Sequence, residues 1–190
     1  MDNKLIEKLN RYLQALTVAQ RNIHILHWNV SGRGFRSAHV ELQDVYEDLF
    51  AKIDEVAELI RIHDGVPSAS LSECIDGSPI EEISSAQTYK VLNALKMALE
   101  DIRDIIDVCN EAAVYANENN IIDVSDVLGT HSSSLGVKKY FLQSMSEEDA
   151  KPEPRSDFKQ PGSGHDFSKK EPAHKDEPML NPGTKDQLRR

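Results

Sequence analysis

The chain of 190 residues carries 22 Lys and Arg against 32 Asp and Glu, a formal net charge of −10, with 39% hydrophobic residues. Such a balance disfavours a general nucleic-acid binder, which needs Lys and Arg to face phosphates, and suits a surface that concentrates cations. There is no apolar run of about eighteen residues and no charged-then-apolar leader, so neither a membrane span nor a secretion signal is expected. Two cysteines, Cys74 and Cys109, do not make a disulfide framework, and a reduced cytoplasmic setting follows. The mean hydropathy of −0.50 understates the core, because the polar C-terminal residues dilute it.

In chain order, Leu9, Leu13, Leu16, Ile23 and Val30 recur on one helical face with no Pro or Gly between them, which predicts a first helix from about Asn3 to Val30. Ser31-Gly32-Arg33-Gly34 ends it, a turn in which two residues take φ > 0 without cost. His27 falls in the last turn of this helix. His24 lies one turn earlier on nearly the same line and reads as an ordinary polar-face histidine.

A second helix is predicted from about Ser37 to His63, closed by Asp64-Gly65-Val66-Pro67. Leu42, Val45, Tyr46, Leu49, Ile53, Val56 and Ile60 form its apolar stripe. His39, Gln43, Asp54 and Glu58, with Phe50 and Ala57, lie on a flank beside that stripe. Glu41, Asp44, Asp48, Lys52 and Glu55 occupy a third, charged face. His63, in the last turn, is accounted for by the helix dipole.

Residues 65 to 84 form a long connection rich in Ser, Gly and Pro, with a short helix expected near Leu71 to Ile75. Its length predicts a crossover rather than a hairpin. Ser84 and Gln87 offer a capping box for a third long helix, whose stripe of Leu92, Leu95, Leu99, Ile102, Ile106, Cys109, Ala113 and Ala116 runs to about Asn119. A fourth begins near Asp123 and continues through Val127, Leu128, Leu135, Leu142 and Met145. Gly129, Gly136 and Ser132 to Ser134 weaken it, so packing must hold it. His131 lies near its apolar side and reads as a core or cavity-facing histidine. The pattern is an all-α four-helix bundle over residues 1–146, with a long crossover between the second and third long helices. From residue 147 to 190 Pro and charged residues dominate and periodicity is lost, as in a disordered tail. That tail holds nine Lys and Arg and ten Asp and Glu, so a duplex would feel almost no net attraction to it.

His27, His39, Asp54 and Glu58 are metal-ligand types. Taken singly each has a plainer reading: a packed aromatic pair for His27 and Trp28, a solvated helix face for Asp54 and Glu58. Taken together, His39, Asp54 and Glu58 share an otherwise partly apolar flank of the second helix, with His27 at the end of the helix before it. His39 and Asp54 are fifteen positions apart in one helix, which at about 1.5 Å per residue is roughly 22 Å. One ion with bonds of about 2 Å cannot span that gap. Two copies related by a two-fold axis can close it, because an isologous interface sets residue i against residue j and j against i.

HWNV at residues 27–30, a second His twelve residues on at His39, and Asp54-x-x-x-Glu58 fifteen beyond that resemble the Dps family, the DNA-protecting miniferritins of the ferritin-like superfamily. The resemblance covers roughly residues 5 to 146. It implies a ferroxidase that oxidises Fe²⁺ to Fe³⁺ with hydrogen peroxide or oxygen and stores the product as mineral inside a hollow dodecamer. His27 and His39 of one subunit and Asp54 and Glu58 of its two-fold neighbour would hold the iron, with Trp28 accessory. It also implies pore roles for Asp123 and Asp126, and makes Asp44 and Asp48 candidates for mineral nucleation, although helix-start and solvated-face roles account for the same residues.

One departure stands out. The family places Asp four residues after the second His, and here that position is Gln43. Its carbonyl oxygen carries no charge, so a second iron is expected to bind more weakly; the neighbouring Asp44 points about 100° away. No intrachain pair of Glu-x-x-His motifs occurs; the one match, Glu171 with His174, lies in the tail. The expected setting is the cytoplasm, with nucleoid association implied by the family. Direct DNA binding is expected to be weak or absent. The alternatives are a DNA-compacting shell and a catalytically weak shell or metal buffer in which Gln43 has cost the site its activity.

Overall fold

The computed structural model describes residues 2–85 and 87–147. Four long helices, α1 (Asn3–Asn29), α2 (Phe35–Ile62), α4 (Val91–Glu118) and α5 (Ile122–Ser146), enclose one apolar core. A short helix α3 (Leu71–Gly77) lies in the crossover between α2 and α4. No helix among the described residues is long and apolar enough to cross a membrane. The tail expected over residues 147–190 falls, apart from Glu147, outside the described residues.

Local chemistry explains each boundary. Asp2 caps α1, its Oδ1 accepting the N–H groups of Lys4 and Leu5 at 3.1 Å each. Gly32 and Gly34 adopt φ of 112° and 81°, so the α1–α2 turn uses the two glycines for their conformational freedom. At the end of α2 the left-handed residue is Asp64 (φ 60°), and the Gly65 N–H closes onto the Ile60 carbonyl at 2.9 Å. Gly65 serves packing instead: a Cβ there would lie 2.6 Å from the Ile6 side chain.

The predicted start of the third long helix does not hold. Ser84 and Gln87 cap nothing; α4 begins at Val91. Ahead of it, β2 (Tyr89–Lys90) pairs in parallel with β1 (Val30–Ser31), in the register Val30 to Tyr89 and Ser31 to Lys90. That ladder holds the chain extended up to Lys90 and delays the helix. The box that does form opens α3, where Ser70 Oγ accepts the Glu73 N–H at 3.1 Å and the Glu73 carboxylate accepts the Ala69 N–H at 3.0 Å.

Side-chain amides of α1 tie the crossover to the bundle: Asn10 and Gln14 bond to Val66 and Ser68 near its start, and the buried Asn22 holds its later part. Asn22 donates to the Glu81 carbonyl (2.9 Å) and to Asp101 Oδ2 (3.1 Å), and its oxygen accepts the Ile83 N–H (2.8 Å). In α5 the polar run is absorbed by the helix itself: the hydroxyls of Thr130, Ser133 and Ser134 bond back to carbonyls three or four residues earlier. Leu128, Leu135 and Leu142 then bury against the other helices.

Candidate metal centre

The stripe predicted on α2 is largely buried, with Leu42, Val45, Leu49, Val56 and Ile60 in the core and Tyr46 and Ile53 half-buried. The charged face is not wholly solvated as expected. Lys52 is 7% exposed, its ammonium bonded to Asp48 Oδ1 at 2.8 Å. Its four-carbon stem packs where α2 meets the bundle, which leaves the helix with a wider buried face than apolar residues alone define.

His27, 8% exposed at the end of α1, meets His39 of α2 across the glycine turn. Their rings stack with centroids 3.8 Å apart and planes 21° from parallel. Each is held by the other's backbone: His27 Nδ1 lies 2.9 Å from the His39 carbonyl, and His39 Nδ1 lies 3.0 Å from the His27 carbonyl. A carbonyl only accepts, so both Nδ1 atoms carry the proton. In the neutral rings both lone pairs therefore sit on Nε2, and among the described residues neither Nε2 has a hydrogen-bond partner. Carbonyl-oriented imidazoles with a free second nitrogen are the arrangement metal-binding histidines need.

An aromatic shell backs this pair. Tyr46 stands edge-on to His27 at 5.2 Å and stacks on His24 at 4.1 Å; Phe35 lies 5.0 Å from His39. His24 thus packs between Tyr46 and Trp28 (4.3 Å) rather than on an open polar face. Burial, then the neighbouring His27 and Arg21, hold its pKa below the ordinary histidine value. Trp28 is more than half exposed, with the Arg21 guanidinium 5.0 Å over its ring.

Asp54 and Glu58 are exposed one turn apart on α2 and do not reach the histidines of their own chain. Among the described residues, no three His, Cys, Asp or Glu side chains of a single chain converge on one point. Between the two half-sets on the same flank lies Phe50, 67% exposed. Gln43 donates to Glu47 Oε1 at 2.8 Å, which leaves its own carbonyl oxygen uncommitted. Asp44 is exposed, whereas Asp48 is engaged by Lys52. At the start of α5, Asp123 meets His63 Nε2 at 2.9 Å. Burial pushes Asp123 up, but the His63 bond and the backbone amides outweigh it, and its pKa lies below the usual carboxylate value. Asp126 is exposed.

Other polar groups, unmarked by any motif, come together inside the bundle. Tyr12 of α1, His131 of α5 and Glu55 of α2 form one hydrogen-bonded line. The sequence reading of His131 as a core histidine marks one member of this line, and the tyrosine at position 12, between Leu9 and Leu16 on the apolar face of the first helix, is the further signal available.

These features define a four-helix protein that carries a carbonyl-anchored histidine pair at the junction of its first two helices. The comparisons agree on its class: a ferritin-like domain profile matches residues 6–148. A DNA protection during starvation protein of Listeria innocua is 33% identical over 105 residues, 55% of this chain and 65% of that protein. DNA protection during starvation protein 2 of Bacillus anthracis is 24% identical over 140 residues, 71% and 96% of the two chains. The crystal structure of Dps from Staphylococcus aureus superposes with a TM-score of 0.73 at 24% identity, covering 78% of this chain and 98% of that one. The chain belongs to the ferritin-like domain family, and the relatives it matches there include Dps proteins, as the HWNV resemblance indicates.

Proposed function

We propose that the protein is an iron-oxidising, iron-storing miniferritin whose ferroxidase site is shared across a two-fold dimer. The observation that carries this reading is the His27–His39 pair, locked by reciprocal carbonyl bonds with both Nε2 atoms open, while Asp54 and Glu58 stand exposed on the same flank. A second copy running antiparallel brings its Asp54 and Glu58 to these nitrogens and covers Phe50.

Fe²⁺ is the substrate. Imidazole and carboxylate ligands suit it, and the carboxylates offset the charge that grows as iron is oxidised. Two Fe²⁺ and one hydrogen peroxide, with two protons, give two Fe³⁺ and two waters, so each turnover removes both reactants of hydroxyl-radical chemistry. On this reading the cell's DNA is protected without being held, consistent with the net charge of −10. Assembly into a closed dodecamer, entry of iron past Asp123 and Asp126, and nucleation at Asp44 belong to the same proposal. Asp48 is a weaker nucleating candidate, because Lys52 already neutralises it.

Stopped-flow oxidation of Fe²⁺ by peroxide tests it. Wild-type protein should accelerate oxidation over buffer, and His39→Ala should lower the rate by about 100-fold or more, since even outer-shell partners of metal ligands cost about 10- to 100-fold. Equal rates in an assembled variant would remove His39 from the site. No acceleration by assembled wild-type protein would leave an inert shell, with Gln43 the first residue to restore to Asp.

A further inference from the structure

The polar line through the bundle is built from three helices and reaches from the core to the surface. Tyr12 is fully buried, His131 is 3% exposed, and the Glu55 side chain is 56% exposed. Tyr12 Oη lies 3.2 Å from His131 Nδ1, and His131 Nε2 lies 2.8 Å from Glu55 Oε2. The proton positions follow from the partners. A carboxylate only accepts, so Nε2 carries a hydrogen and donates it to Glu55. In the neutral ring Nδ1 is then an acceptor, and the Tyr12 hydroxyl donates to it. Burial lowers the His131 pKa and outweighs the opposing pull of the Glu55 bond, which keeps that acceptor free at neutral pH. A phenylalanine at position 12 would fill much the same space with no donor to satisfy, so packing alone does not call for the hydroxyl.

We propose that Tyr12 is a redox-active tyrosine that gives one electron to a strong one-electron oxidant of the hydroxyl-radical class while its proton passes to His131 Nδ1. The phenolic O–H bond breaks and an N–H bond forms on the imidazole. Tyr12 is left as a neutral phenoxyl radical, and the oxidant is reduced, a hydroxyl radical becoming hydroxide. Without a base in place the electron would leave behind a phenol cation buried in an apolar core, at high cost. His131 removes that charge by taking the proton, and Glu55 stabilises the resulting imidazolium through the 2.8 Å bond. The Cys109 thiol, also buried, is turned to the Leu128 carbonyl at 3.4 Å, so His131 Nδ1 is the hydrogen-bond partner of the Tyr12 hydroxyl.

The test needs no iron, so its outcome is independent of the ferroxidase reading. The assembled full-length protein is mixed with a ruthenium tris-bipyridyl photo-oxidant and persulfate, flashed and frozen for electron paramagnetic resonance. We expect a long-lived tyrosyl signal that narrows when tyrosine is ring-deuterated. It should be lost in Tyr12→Phe, be retained in the surface variant Tyr140→Phe, and be strongly reduced in His131→Gln. A signal of unchanged shape and lifetime in Tyr12→Phe would overturn the proposal, and so would full yield in His131→Gln. Should either variant fail to assemble, wild-type protein in heavy water decides. An exchangeable deuteron coupled to the phenoxyl oxygen is expected from the protonated imidazole, and its absence would refute the proton transfer.

Discussion

Lys52 and Glu58 lie within two turns of each other on α2, and the fold treats them oppositely. Lys52 is withdrawn into the bundle and bonded to Asp48, and Glu55 beside it reaches His131. Glu58, with Asp54 and Phe50, stands in the open. One side of the helix finds its partners within its own chain; the other ends in solvent, with two carboxylates and an aromatic ring left over. The contrast teaches that metal-ligand residue types mark a site only where the chain has not already satisfied them. By that criterion Asp54 and Glu58 remain candidates for the proposed shared site, and Glu55, their neighbour, is not one.

The largest effect is expected on the open side. Phe50→Asp would set a charge against the proposed two-fold interface in both subunits at once. If each substitution costs about 2 kcal/mol, dimer formation weakens by about 4 kcal/mol, or roughly a thousandfold. Sedimentation velocity should then show smaller species than wild type. An unchanged assembly would place the interface elsewhere and break the comparison.

On the closed side, Lys52→Ala strips Asp48 of its bonded partner, while its Oδ2 is already buried without one. We expect a loss of about 2–3 kcal/mol and a melting temperature lower by roughly 5–10 °C. Thermal unfolding that matches wild type would show that Lys52 behaves as a surface lysine.

Asp101 sharpens the same contrast through pH. Burial raises its pKa to about 7, against a side-chain bond from Asn22 that lowers it. Because the folded value lies above the unfolded one near 3.8, the native state holds the proton while the unfolded chain has released it. Stability therefore falls as pH rises from about 4 to about 7, and stays at the lower level above that. Asp101→Asn keeps an oxygen for Asn22 but cannot ionise. Denaturant midpoints for this variant should lose the decline and exceed wild type at pH 8; parallel curves would contradict the assignment.

Much of the bundle is legible in the sequence because three- and four-residue apolar spacing is a local signal that packing amplifies. The Ser84–Gln87 box failed for the converse reason: a two-residue ladder between Tyr89–Lys90 and Val30–Ser31, far apart in sequence, overrides local capping. Of the candidate centre, residue types and the 22 Å argument could be read directly, and the structure keeps His39 and Asp54 apart within one chain. The reciprocal carbonyl bonds that free both Nε2 atoms could not, because they depend on how the Gly32–Gly34 turn aims two helices. Tyr12, His131 and Glu55 are separated by 119 and 76 positions, and no spacing rule connects them.

Co-assembly of two inactive subunits tests the shared site most directly. His39→Ala lacks one half of the ligand set, and the double variant Asp54→Ala, Glu58→Ala lacks the other. Refolded together, each mixed pair holds one site with both halves intact, so iron oxidation should return to a substantial fraction of wild type while either variant alone stays inactive. If mixed assemblies form and remain as slow as their parents, each ligand set is completed within its own chain and the account is wrong.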